Sequence, residues 1–326
     1  MGRYLLKRLL NYSIMLFVAV TLAYFLAASR LNPRLLYDIT NPTLDWDSIN
    51  ASLSDKNLNP DESIWSRYWD WLVGVFRWDW GQKPKSGLVN TEIAQRVWVS
   101  VRLVTGGFLI GTISGIIVGA WSATRQYKIS DRAITLSSLV LISTPTFVIA
   151  VVLQILAIRF NRATGWNWFE FLGETGRHSG SWISPWLDRL QHLLLPTITL
   201  ALGGFAVYSR YQRNMMLDTL HADYVRTARA KGLSRRRAVF KHALRTALIP
   251  VGTLFAFSAA GVFVGATFTE TLFGWHGMGE YLVTSIGAQD VHGVVAVAAF
   301  AGVTVFLGAM LSEVFVVVLD PRVRIG

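Results

Sequence analysis

The chain has 326 residues, 52% hydrophobic and only 16% charged, with a formal net charge of +11 and no cysteine. Soluble domains carry about a quarter charged residues, so this composition excludes an ordinary soluble globule and points to a membrane protein. Without cysteine there can be no disulfide, thiolate metal site or thiol nucleophile.

The apolar residues gather in runs of about twenty, the length that crosses a hydrocarbon core of about 30 Å. Six spans are predicted, at 9–29, 101–122, 134–158, 191–210, 247–269 and 291–318. Arg3, Lys7 and Arg8 precede the first one. Its apolar stretch exceeds the roughly 7–15 residues of a secretion signal, so it reads as an uncleaved helix.

Residues 30–99 form the one long soluble-looking piece. Asn57-Leu58-Asn59-Pro60-Asp61 is turn chemistry. Behind it Ile64, Trp65, Tyr68, Trp69, Leu72, Val75 and Phe76 recur at helical spacing and predict an amphipathic helix. Eleven of the thirteen tryptophans fall in outer segments. They read as an interfacial belt or as a floor for an external partner.

In the second span Gly107, Gly111, Gly115 and Gly119 stand on one face, where the lack of side chains admits a neighbouring helix. Packing inside the chain, a dimer seam and a pore lining all fit that face. In the third span Ser143-Thr144-Pro145 predicts a kink. Pro196 and Pro250 are placed near the starts of their spans, where proline costs little. Glu270 is expected at interface level at the outer end of span five, and Glu313 within span six, paired to a neighbouring helix.

Charge sets the orientation. Segments 1–8, 123–132, 210–245 and 319–326 hold 18 Lys and Arg against 4 Asp and Glu, and the rest of the chain holds 13 against 16. The positive-inside rule then puts both termini in the cytoplasm. The chain divides into a cytoplasmic end and first helix (1–30), an extracytoplasmic segment (31–96), a five-helix core (97–318) with a cytoplasmic loop at 210–245, and a cytoplasmic tail (319–326). The basic residues are split among loops beside spans, which argues against a nucleic-acid partner.

The loop carries ten of the basic residues. Arg226 to Lys231 are helix-compatible, Gly232 supplies a stop, and Ser234 can cap a second helix over Arg235–Leu244. Two short helices joined at a glycine make a stiff protrusion. A basic segment lying on anionic lipid is the alternative. The small residues Thr227, Ala228, Ala230 and Gly232 favour seating in a protein cleft.

This loop resembles the EAA loop of binding-protein-dependent ABC importer permeases, in the form found in the oligopeptide, dipeptide and nickel group. Arg226-Thr227-Ala228 stands where Glu-Ala-Ala would, Gly232 matches the glycine, and His242-Ala243-Leu244-Arg245 replaces Ile-x-Leu-Pro. Four further stretches are similar to that group in order: Arg77–Gly81, Leu141–Phe147, Glu270–Gly279 with His276 at the usual proline, and Asp320–Arg324. The resemblance implies an all-α integral membrane protein with the type I importer permease fold. It also implies a bacterial inner-membrane location. The partners implied are a second homologous permease, ATPase subunits with two nucleotide-binding domains, an extracytoplasmic binding protein and a peptide substrate.

On that resemblance the ATPase-coupling residues are Asp223, Arg226, Thr227, Ala228, Arg229, Ala230, Lys231, Gly232 and His242. Ala228 is expected against the cleft wall. Pro145, Glu270, Gly277 and Gly279 are candidates for the pore or an outer gate. No catalytic residue, metal ligand or cofactor is expected here: the sequence holds no G-x-x-x-x-G-K-[ST], so ATP and Mg would bind a partner. Dipeptides, nickel or another small solute are the alternative cargoes. From other classes, a self-contained secondary transporter would show inverted repeats, which are not found, and a membrane enzyme would show H-E-x-x-H or G-x-S-x-G, both absent.

Overall fold

The computed structural model describes residues 2–37, 44–176 and 184–319, with backbone only at 2–5, 184, 256, 257, 259–265 and 316–319. The terminal motif at 320–324 and the tail therefore lie outside the described residues. The chain divides into two compact units, one of Arg102–Trp275 with the segment from Leu307 onward, the other of Gly2–Val101 with His276–Phe306.

The helices in chain order are α1 (Gly2–Arg30), α2 (Trp46–Asp55), α3 (Ile64–Phe76), α4 (Val89–Ala123), α5 (Ile129–Ser143), α6 (Thr146–Thr164), α7 (Ser184–Leu220), α8 (Asp223–Ala230), α9 (Arg235–Ala238), α10 (Leu244–Phe273), α11 (Met278–Gly287) and α12 (Val291–Leu319). No strand occurs among the described residues, only one antiparallel bridge between Gln82 and Leu88. Among them, α1, α4, α6, α7 and α12 are long and apolar enough to cross a membrane. With the 30-residue α10, this arrangement is compatible with six spans.

In the unit built on residues 2–101 and 276–306, α2 and α3 fold back on the end of α1. Tyr24, Ala27, Leu53, Leu58, Tyr68, Trp71 and Leu72 share one buried cluster with Val291 and Val295 of α12. The Tyr24 and Trp71 rings lie 4.9 Å apart, and Thr21 and Tyr68 share a hydroxyl bond of 2.9 Å. The predicted helix at 64–76 is present, but its apolar side chains divide. Tyr68 and Leu72 are buried, while Trp65, Trp69 and Phe76 stay exposed because Trp71 takes a place in the core.

In the unit of 102–275, the glycine face of α4 lies on α7. An added Cβ at Gly107 would come 2.5 Å from Leu200 Cβ, and one at Gly111 2.5 Å from the Ala201 carbonyl oxygen. At Gly115 the contact would be 2.8 Å to Tyr208 Cβ, and at Gly119 it would be the Ser209 carbonyl. Only bare backbone fits there, which decides for packing inside the chain. A buried Ser138–Ser209 hydroxyl bond of 2.9 Å ties α5 to α7.

Two expectations about helix continuity need correction. The third span does not kink at Pro145 but breaks: α5 ends at Ser143, and Pro145 caps α6 in extended backbone. The Thr144 hydroxyl donates to the Val140 carbonyl and occupies one acceptor at the break. Pro196 lies well inside α7 and Pro250 inside α10, because both helices begin before the apolar run does. Glu270 lies in the last turn of α10 with its side chain fully enclosed.

Candidate functional site

The loop at 221–243 is built from its small residues. Val225 and Ala228 on one side of α8 are buried with Ala123, Met216, Ala238, Ala243 and Ala247. The buried members that meet Val225 and Ala228 are alanines except for Met216, which lets α8 sit close. The chain then turns. Gly232 takes φ +91°, with its amide bonded to the Arg229 carbonyl at 3.0 Å, and the Leu233 amide reaches the Ala228 carbonyl at 3.2 Å. Glycine reaches that left-handed region without the cost a Cβ would impose.

After the turn Ser234 Oγ accepts from the Arg237 amide, as its capping role requires. The second arm differs from expectation. It is not a separate short helix ending at Leu244. α9 runs through a π-helical turn at Val239–Ala243 straight into α10. The π turn sits where Lys241 and His242 fall, and such turns often accompany functional positions. A force on the loop would therefore act directly on the end of a long helix.

The exposed face of α8 and its turn carries Asp223, Arg226, Thr227, Arg229, Ala230, Lys231 and Gly232, with His242 half-buried. Ala228 does not belong to that face. It is 8% exposed and packs into the chain's own core, so it cannot meet a partner's wall. The reason is helical phase: Ala228 lies three residues from Val225, and both point inward. The Arg226–Asp223 pair at 3.8 Å is solvated and adds little.

A bolt that local spacing does not reveal ties the start of α5 to α7. Asp131, at the start of α5, accepts from Arg213 Nε at 2.6 Å and Nη2 at 2.8 Å, from Ser122 Oγ at 2.5 Å and from the Tyr127 amide at 3.0 Å. Arg213, against the cost of burial, together with Ser122 and Tyr127, holds its carboxyl well below the usual carboxylate range. The signal available was a lone acid in the basic stretch 123–132.

At the break between α5 and α6 lies a cavity of about 290 Å³, lined among others by Thr144, Thr146, Phe108, Gly204 and Tyr208. Pro145 thus stands between two residues of a lining that holds the hydroxyls of Thr144, Thr146, Tyr208 and Ser258 and two aromatic rings. Irregular backbone at membrane depth is tolerated where it lines such a cavity.

The outer turn is also shaped by glycine. Gly274 ends α10 at φ +65°, and the Trp275 amide returns to the Glu270 carbonyl at 2.8 Å. In the other unit Gly277 caps α11 in extended backbone, Gly279 is buried, and the Met278 amide donates to Ser100 Oγ at 2.7 Å. Also in that unit, Glu92 accepts from Lys83 at 2.7 Å and Arg96 at 2.6 Å, Arg96 also pairs with Glu280, and its guanidinium lies 5.0 Å from the Tyr281 ring. Sequence reading passed over His292, whose buried ring bonds the Gln82 carbonyl at 3.1 Å. A Cβ on Gly81 would come 2.5 Å from that ring, which is why the Trp78–Gly81 stretch ends in glycine.

Residues 115–325 match the family described as "Binding-protein-dependent transport system inner membrane component". The chain belongs to this family. It is 47% identical, over the whole of both chains, to the oligopeptide transport system permease protein OppB of Mycobacterium tuberculosis (strain ATCC 25618 / H37Rv). It is 32% identical, again over the full length of both, to the dipeptide transport system permease protein DppB of Lactococcus lactis subsp. cremoris. This importer permease is accordingly a multi-pass membrane protein.

Proposed function

We propose that this permease forms half of the translocation pore of an ATP-driven oligopeptide importer in the bacterial inner membrane, with both termini cytoplasmic. A second homologous permease completes the pore, and an extracytoplasmic binding protein delivers the peptide. ATP and Mg bind partner ATPase subunits, whose closure is passed to the pore through the 223–245 loop. The observation that carries the cargo is the full-length 47% identity to oligopeptide permease proteins. The charge asymmetry between loops supports the orientation.

The mechanism follows from the loop. An ATPase cleft seated on the exposed side of α8 would move α8 as one body, because Val225 and Ala228 anchor it in an apolar cluster. Through α9 and the π turn, that motion would reach α10 without a flexible joint. The break at Pro145 borders a cavity that helix motion could open or close. The side chains that line it are all uncharged, which suits a conduit whose selectivity is set by an external binder.

Dipeptides are the second reading, favoured by the 32% identity to a dipeptide permease over the same full length. Uptake decides between them. In cells lacking this chain, uptake of a labelled pentapeptide should fall to background and return when the chain is supplied. Loss of dipeptide or nickel uptake with pentapeptide uptake intact would refute the oligopeptide assignment.

A further inference from the structure

A groove of about 720 Å³ opens beside the loop, and its lining is sharply divided in chemistry. One end carries four cations, Arg125, Lys128, Arg235 and Arg236, and no carboxylate. All four are exposed. Among the described residues none of the four has an acidic partner within salt-bridge distance. Apart from Thr124 the rest of the lining is apolar, with Trp121, Phe240 and Ile117 prominent. The Arg125 guanidinium lies 4.3 Å over the Trp121 ring, so the cation at the mouth is held on an aromatic floor.

The apolar end does not stop at the groove. Ile110, Ile113, Ile117 and Trp121 are all exposed and lie on the side of α4 opposite its glycines. Eleven residues of helix rise about 16 Å, so this stripe is an apolar track about half the thickness of a hydrocarbon core. One end of the track is cationic and the other purely aliphatic.

We infer that this groove binds one anionic phospholipid of the inner leaflet, its phosphate among Arg125, Lys128, Arg235 and Arg236 and an acyl chain along Ile117, Ile113 and Ile110. A free phosphate would satisfy the cations and leave the track empty. A soluble protein partner could not follow α4 into the bilayer. An anionic lipid matches both ends at once: Lys and Arg next to a membrane draw anionic headgroups, and Trp sits at headgroup depth. The site borders the arm that carries the proposed coupling motion, so bound lipid would brace α9 against α4. This inference rests on the membrane-spanning reading of α4 and on the inward orientation of the loop. It does not depend on the cargo.

Native mass spectrometry of the detergent-solubilised permease complex tests it. The probes are phosphatidylglycerol and phosphatidylcholine with identical acyl chains, and inorganic phosphate. Retained phosphatidylglycerol, with little phosphatidylcholine or phosphate, is expected. Retention should fall roughly thirtyfold in Arg125→Gln/Arg236→Gln, the scale for losing two cations near an anionic surface. It should persist in Arg229→Gln/Lys231→Gln, which removes equal charge outside the groove. Equal loss in both variants would mean diffuse attraction, and equal retention of phosphatidylcholine would mean that the headgroup is not read; either overturns the inference. A photo-crosslinker at Phe240 should capture lipid, and capture of a partner polypeptide there would overturn it too. Transport failure with lipid binding intact would count against the importer reading alone.

Discussion

Gly111 meets the backbone of Ala201 so closely that a Cβ on the glycine would stand 2.5 Å from the Ala201 carbonyl oxygen. Gly204 returns the contact from α7, with its would-be Cβ 3.5 Å from Gly111 Cα. At this crossing the two helices touch through main chain. No side chain is present to give way.

Gly111→Leu and Gly115→Leu are therefore expected to disrupt folding or assembly, by at least the roughly 1–3 kcal/mol typical of overpacking. Gly203→Ala, one residue from the crossing and with nothing within 4 Å of its Cβ position, should be tolerated. Size-exclusion chromatography and thermal melting of the detergent-solubilised variants check this. Wild-type behaviour of both leucine variants would contradict the packing.

The Asp131–Arg213 pair gives a second expectation. Asp131 is 2% exposed but Arg213 only partly buried, so removing the carboxylate forfeits hydrogen bonds to a charged group, worth about 1.5–3 kcal/mol, without stranding a fully buried charge. Asp131→Ala should lower the melting temperature sharply. Because the folded carboxyl titrates below its unfolded value, the wild-type advantage is full above the unfolded pKa and is lost only as pH falls below that range. An unchanged melting temperature at neutral pH would show that the bolt bears no load.

Asp290 behaves in the opposite sense. Burial raises it to about 6, although the Gly293 amide donates to its carboxylate at 2.9 Å. A raised acid binds its proton more readily folded than unfolded, so its stabilising contribution is full below the unfolded pKa and is lost as pH rises through about 6. Asp290→Asn keeps the acceptor without the charge. It should be more stable than the wild type at pH 7.5, by up to about 3 kcal/mol, and the difference should vanish near pH 4. A gap that does not change with pH would refute this.

The absence of cysteine makes the orientation directly testable. Ser66→Cys, exposed on α3, should react with an impermeant maleimide in intact spheroplasts, and Lys128→Cys and Arg229→Cys only after permeabilisation. Reversed labelling would invert the topology.

Sequence periodicity reached the spans, the glycine face and the left-handed turn at Gly232, because each is written in local spacing or in a residue only that geometry requires. It did not reach what depends on distant partners. Asp131 meets Arg213 from 82 residues away, and Gly81 meets a histidine 211 positions on. Ala228 misled for a different reason. A small residue suits a tight core and a docking face equally, and only the helical phase set by Val225 separates the two. The split of the third span at Pro145 likewise needed the backbone itself, since a proline in an apolar run permits either a kink or a break.

The central claim is that the loop is a rigid hook whose turn at Gly232 transmits ATPase closure. Substrate-stimulated ATP hydrolysis by the reconstituted complex tests it most directly. Gly232→Val must place a β-branched residue at φ +91°, where nothing within 4 Å obstructs it but the backbone conformation does. The variant should enter the membrane normally and abolish stimulation, while Arg235→Gln/Arg236→Gln/Arg237→Gln keeps most of it. Full stimulation with Gly232→Val, and loss of it in the triple glutamine variant, would contradict the hook and leave membrane contact as the loop's role.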